Sequence, residues 1–236
     1  MTLLTICQDA ANLIGITAPD AVTASTDTST IQLEACANQE GRSQVQKYAW
    51  EVLTQEGSHT TVNSESQGAM TTIATDFGRF SNQTLWNRTT DRRYYGPITA
   101  AKWQQILAVV SGGITNYFRI RGGNLLMHPT PTAGESVKFE YVSKNWVDTS
   151  GGTSANADKF SGDSQTTVLE EELVVLGVVW RFLKLKGLPY DQQFVDYQNS
   201  MAEYSNHDGA SPILRMAGPS RVILALNEPE GNYGGV

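Results

Sequence analysis

The sequence predicts an α+β fold: a four-helix bundle with a β-rich insertion between its second and third long helices and an extended C-terminal arm. Three observations carry this expectation. Apolar residues recur at three- and four-residue spacing in two stretches near the N-terminus and in two more after residue 167. Between them, aromatic and β-branched residues alternate with polar ones at the period that suits half-buried strands. Beyond His207, Gly209, Pro212, Gly218, Pro219 and Pro229 end any helix, yet Arg221–Leu226 stays apolar. The expected divisions are 1–56 for the N-terminal helices, 57–147 for the insertion, 148–166 for a surface loop, 167–207 for the C-terminal helices and 208–236 for the arm.

In chain order, Leu3, Ile6, Cys7, Ala10, Leu13 and Ile14 mark a first amphipathic helix ended by Gly15 and Pro19. A longer second helix begins near Thr28 and runs to about Gln55, with Ile31, Ala35, Val45, Tyr48, Ala49, Val52 and Leu53 as its apolar positions and Gly57 closing it. Gly41 interrupts it at a cost of about 1 kcal/mol relative to alanine, which implies a packing reason or a bend. His59–Asn63 and Met70–Thr75 read as strands around a polar turn. Within the insertion Thr99 precedes a short helix from Ala100 to Val110 whose Trp103, Ile106, Leu107 and Val110 should pack on the sheet. Tyr117–Arg121 and Asn124–Met127 flank Gly122-Gly123, a hairpin signal. Ser136–Val142 is the clearest strand, with Val137, Phe139 and Tyr141 on one face. Asp148–Ser164 is small and polar, as a surface loop is. Thr167 and Glu170 then have capping-box spacing ahead of a helix with the stripe Leu169, Leu173, Leu176, Trp180 and Leu183. The last helix runs from Asp191 to about Asn206.

Composition narrows the function. Twenty-four acidic against 17 basic side chains give a formal charge of −7, which argues against ordinary phosphate-backbone binding. No apolar run approaches the roughly 18–20 residues that cross a membrane, and no basic leader marks a secretory signal, so no membrane partner is expected. Cys7 and Cys36 lack a CxxC spacing and read as buried thiols. His59, His128 and His207 are scattered, and no nucleophile elbow, phosphate loop or dinucleotide fingerprint is present. Glu170, Glu171 and Glu172 suit the start of a helix dipole better than paired acid catalysis. Asn82-Gln83-Thr84 and Asn87-Arg88-Thr89 match the glycosylation pattern by chance, given no secretory signal. No enzyme, cofactor, catalytic residue or metal site is therefore expected.

Two interaction surfaces stand out instead. Arg88, Arg92 and Arg93 beside Tyr94 and Tyr95, with Arg79 and Trp86 nearby, are residue types that crowd the centres of protein interfaces, although they could also stack bases. In the arm, Arg215 and Arg221 accompany Val222, Ile223, Leu224 and Leu226, too apolar for a solvated tail; a neighbouring subunit, another protein or the chain's own domain could receive them.

The layout resembles the head-to-tail adaptor proteins of short-tailed bacteriophages, also called tail-accessory, gatekeeper or tubular tail proteins. The stretches that carry the likeness are MTLLTICQDAANLIGI at the start, ANQEGR at Ala37–Arg42, RTTDRRYYGPITAAKWQQI, and NYFRIRGGNLLMHPTPTAGESVKFEYVSKNWV. The resemblance implies a virion protein made in the host cytoplasm and placed in the neck. It implies a ring, usually twelve-fold, whose partners are its own copies, the portal protein reached by the arm and the next tail protein seated on the β module, with DNA passing through the lumen. Twelve copies at −7 each carry roughly −84, which disfavours adhesion of DNA to a lumen of that sign. Two alternatives remain: a receptor- or carbohydrate-binding virion module using Trp86, Trp103 or Trp146, and a hydrolase whose site has no recognisable motif.

Overall fold

The computed structural model describes residues 1–108, 115–151 and 154–208. Val110 and the whole apolar part of the expected arm, with Arg215, Arg221, Val222, Ile223, Leu224 and Leu226, lie outside the described residues.

Helix α1 (Leu3–Ile14) begins where the Thr2 hydroxyl accepts from the Thr5 amide and ends at Gly15 in the left-handed conformation. It buries Leu3, Ile6, Cys7 and Ala10 as expected, while Leu13 is exposed. Asp27 caps α2 (Thr28–Lys47), which stops well before Gln55. Tyr48 turns extended there, meets Trp50 edge-on at 4.8 Å, and donates its hydroxyl to the Ser205 carbonyl at 3.0 Å. That aromatic pair gains more by packing on the last helix than by extending α2. The buried face of α2 is Leu33, Cys36, Ala37, Glu40, Gly41 and Gln44; the expected Ile31 and Ala35 are exposed.

Strand β1 (Thr54–Thr60) reaches only the first two residues of the strand expected at His59–Asn63. Strand β2 (Ser66–Ala69) ends just before the one expected at Met70–Thr75, and Met70–Ile73 forms a helical turn, α3, instead of a strand. Gly57 lies inside β1 opposite Phe139 and closes no helix. There follow β3 (Phe77–Phe80), β4 (Trp86–Asn87), β5 (Arg92–Tyr95), α4 (Ala100–Ala108), β6 (Asn116–Arg121), β7 (Asn124–His128) and β8 (Ser136–Ser143). Hydrogen bonding runs β1-β8-β4-β5-β6-β7-β2, a curled half-barrel, with β3 also paired to β8. Only β5 and β6 are parallel among these pairs, and α4 lies on the crossover that parallel pairing requires. Gly122 and Gly123 both take positive φ, as a tight primed hairpin turn demands.

The expected four-helix bundle is not present: the fold is a mixed α/β one built on the half-barrel. Helix α5 (Glu171–Lys186) buries Leu173, Val174, Val175, Gly177, Val178, Val179, Trp180 and Phe182, so it is covered nearly all round. Helices α1, α2 and α6 (Asp191–His207) each pack on α5 and do not share a central seam. A bundle helix shows its neighbours one stripe, whereas α5 is itself the core. The capping box is absent too. Thr167 sits in β10 (Thr166–Thr167), paired with β9 (Val147–Asp148), and its hydroxyl accepts from Leu169. Glu171 and Glu172 at the start and Lys184 and Lys186 at the end still complement the dipole.

At the centre of the helices Glu40 is fully buried. Its carboxylate accepts from Arg181 Nε at 2.6 Å, the Tyr197 hydroxyl at 2.6 Å and Gln44 Nε2 at 2.9 Å. Burial and the Glu40 charge together push the Tyr197 hydroxyl well above its ordinary pKa, keeping it a donor. A Cβ on Gly177 would fall 2.3 Å from Glu40 Cδ, and one on Gly41 would fall 2.3 Å from the Trp146 ring. Gly41 thus has the packing reason its cost implies. Trp146 in turn meets Phe160 edge-on at 4.9 Å, and the Phe160 amide donates to Asn38 Oδ1 at 2.7 Å. The small polar stretch after Asp148 is therefore pinned to the helices, and Phe160 enters their core. Asp163 fastens it again by accepting from the Val22 and Thr23 amides, which hold its pKa below the usual value.

Glu40→Gln, which strips Arg181 of its counter-charge, should lower unfolding free energy by roughly 3–5 kcal/mol in urea titration. Gly177→Ala should cost about 1–3 kcal/mol by overpacking. The stability contributed by Asp163 is present above the ordinary carboxylate pKa and lost as pH falls through its depressed one. Asp163→Asn should therefore flatten the fall in melting temperature as pH drops below about 5.

Candidate interaction surface

Strand alternation sorts the expected interface residues. The register pairs Trp86 with Arg93 and Asn87 with Arg92, so Trp86, Arg93 and Tyr95 share the outer face of the sheet. Tyr94 points the other way and is 3% exposed in the sheet core, packed with Leu85, Phe118, Val137 and Phe139. It is a core residue, and its place in the expected interface is corrected. Arg92 is exposed at the rim of that inner face, so Arg92 and Arg93 do not act on one surface. Arg88 lies in the hairpin tip, exposed, close enough to Glu56 that its charge helps hold that carboxylate below its usual pKa, after the hydrogen bond from Lys138. Arg79, on β3, donates to the Gln46 carbonyl at 3.3 Å and belongs to a different part of the molecule.

The outer face is fixed by short-range bonds. Asn87 Oδ1 accepts from the Thr89 and Thr90 amides, and Asn87 Nδ2 donates to Glu135 at 2.6 Å, which sets the hairpin tip. Arg93 donates to Gln83 Oε1 at 2.8 Å and to the Gln83 carbonyl at 3.1 Å. Its guanidinium lies 5.2 Å from the centre of the Tyr95 ring. Across the parallel pair Tyr95 sits beside Tyr117, ring centres 6.4 Å apart. Arg119 and Arg121 continue this face along β6, and Lys138, paired in register with Trp86, extends it the other way.

Sequence reasoning missed Tyr117, Arg119 and Arg121 as members of this surface. The signal was the alternation in Tyr117–Arg121, which puts all three on one side; what it could not supply was the parallel pairing that carries Tyr117 to Tyr95. Trp103 is fully buried and meets His128 edge-on, as its inward helical position predicts, while Leu107 is exposed. Trp146 is fully buried as well.

Cys7 and Cys36 are buried, and burial raises their thiol pKa values to about 12 and about 11, too high for a nucleophile at neutral pH. Among the described residues no group of three or more His, Cys, Asp or Glu side chains could hold a metal, and no helix is long and apolar enough to cross a membrane. No protein-family model matches the chain, and no curated protein matches its sequence.

Tyr94→Ala should lose about 3–5 kcal/mol of stability, the range of an aromatic removed from a core. Arg88→Ala should stay within roughly 0.5 kcal/mol by thermal melting, as exposed positions do.

Proposed function

We propose that this chain is a structural virion protein of a short-tailed phage: a ring-forming adaptor between the portal and the next tail component, with DNA passing through its lumen. The observation that supports it most is the stripe Arg93, Tyr95, Tyr117 and Arg119 on one sheet face. Arginine and tyrosine dominate the energetics of protein interfaces because each offers a large, stiff contact area and a polar end. Here the Gln83 bonds and the ring contacts hold Arg93 and Tyr95 already in place, which lowers the entropy lost on binding. The stripe is the surface on which the next tail protein would seat, and the arm beyond residue 208 would reach the portal or a neighbouring copy.

The acidic total of −7 favours a protein partner over nucleic acid for this face, since a net negative chain disfavours binding to a phosphate backbone. A sugar-binding module is less well supported. Of the three tryptophans it would use, Trp103 and Trp146 are fully buried and Trp86 is half-buried.

Mass measurement of the purified 25.8 kDa chain, alone and with its portal, tests the ring. A particle of about twelve subunits under either condition is expected; a single copy under both overturns it. Tyr95→Ala and Arg93→Ala, made separately, should weaken binding of the next tail protein by about tenfold or more, as truncation of central interface residues does. Unchanged binding would remove this face from that role.

A further inference from the structure

A second surface, unrelated to the tyrosine stripe, lies where the helices meet the sheet. The C-terminal half of α2, through Arg42, Val45 and Gln46, faces the strand residues Phe77–Arg79 and Val142–Lys144 across a cleft of about 440 Å³. Three cations line it: Arg42, Arg79 and Lys144, against the single carboxylate of Asp158. The ion pairs among the described residues use Glu171, Glu56 and Glu40, and none includes these three cations. Arg79 spends one guanidinium nitrogen on Gln46, while its buried Nη2 has no partner among the described residues. Beside the cations the wall is apolar, with Val45, Phe77 and Val142. Strand β3 pairs only with β8 among the described strands, and its Phe77 amide donates to the Ala74 carbonyl at 3.1 Å.

The site therefore suits a peptide that is apolar along its length and acidic at one end. This chain carries such a peptide in Val222–Glu230, VILALNEPE, with Glu228 and Glu230 following four apolar residues and alanine. The described chain ends against the segment that follows α2. Asp208 accepts from the Glu51 amide at 2.9 Å, and the Tyr48 hydroxyl is bonded to Ser205. Tyr48 follows α2 directly, about 9 Å along the axis from Arg42. Residues 209–221 can span up to roughly 43 Å when extended.

We propose that Val222–Glu230 docks in this cleft of its own subunit, with its apolar residues toward Val45, Phe77 and Val142 and with Glu228 and Glu230 against Arg42, Arg79 and Lys144. The apolar wall takes the aliphatic run, and the three cations select an acidic end. A subunit in this state stores its arm until a partner with a better site draws it off. The inference goes beyond the adaptor function and stands or falls separately from it.

Zero-length carbodiimide cross-linking of the full chain, read by mass spectrometry of digests, tests it. Equal amounts of ordinary and ¹⁵N-labelled chain are mixed so that links within and between copies differ in mass. The Lys138–Glu56 ion pair serves as an internal standard. Links from Lys144 to Glu228 or Glu230 within one copy are expected. They should fall by about tenfold or more in the full-length Arg42→Glu, Arg79→Glu double variant, whose repulsion opposes the same carboxylates, while the standard persists. The docking is overturned if the standard forms and Lys144 joins neither glutamate, if the links join only unlike labels, or if the charge reversal leaves them unchanged. A correct ring mass without these links sinks the docking alone; the links in a protein that stays single sink the ring alone.

Discussion

A buried charge organises the helices. Glu40 sits in an apolar interior where an isolated carboxylate would be prohibitively costly, and three donors from three helices remove that cost: Gln44 from its own helix, Arg181 from α5 and Tyr197 from α6. The hydrocarbon around it is non-directional and would tolerate several ways of stacking α2, α5 and α6. The hydrogen bonds tolerate one. Glycine at 177 belongs to the same constraint, because any side chain there would occupy the carboxylate's place.

The second organising element is β8, which serves two cores. Val137, Phe139 and Tyr141 face the sheet core, and Val142 enters the helical one. Trp146 follows at once and carries the chain onto α2 at Gly41. The half-barrel is thus joined to the helices through continuous packing around one strand end, and the tyrosine stripe on its outer face is held by the same framework that holds Glu40.

Local patterns were legible in the sequence wherever local physics decides the outcome. Leu3–Ile14, Asp191–His207, the paired glycines 122 and 123 and the alternation after Ser136 all formed as read. What failed depended on distant partners. Periodicity gave α2 a stripe through Ile31 and Ala35, because a glutamate and a glutamine were not counted as interior residues, yet Glu40 and Gln44 define the buried side. Helix α5 was read as one-faced, although valine at 174, 175, 178 and 179 already argued for burial all round. Of the interaction surface, the residue types were visible from Arg88 to Tyr95. The inward turn of Tyr94 and the arrival of Tyr117 both follow from sheet pairing, which short-range pattern does not encode.

Strand β4 is only two residues long, yet it joins β8 on one side to β5 on the other. Around it, hydroxyls replace missing ladder donors and acceptors: Thr84 Oγ1 accepts from the Glu140 amide and Thr89 Oγ1 from the Ser136 amide. The half-barrel consequently has a mechanical weak line at this junction. Load applied to the hairpin tip would be carried by a few bonds there, whereas the longer β1–β8 and β6–β7 ladders would move as stiff plates on either side.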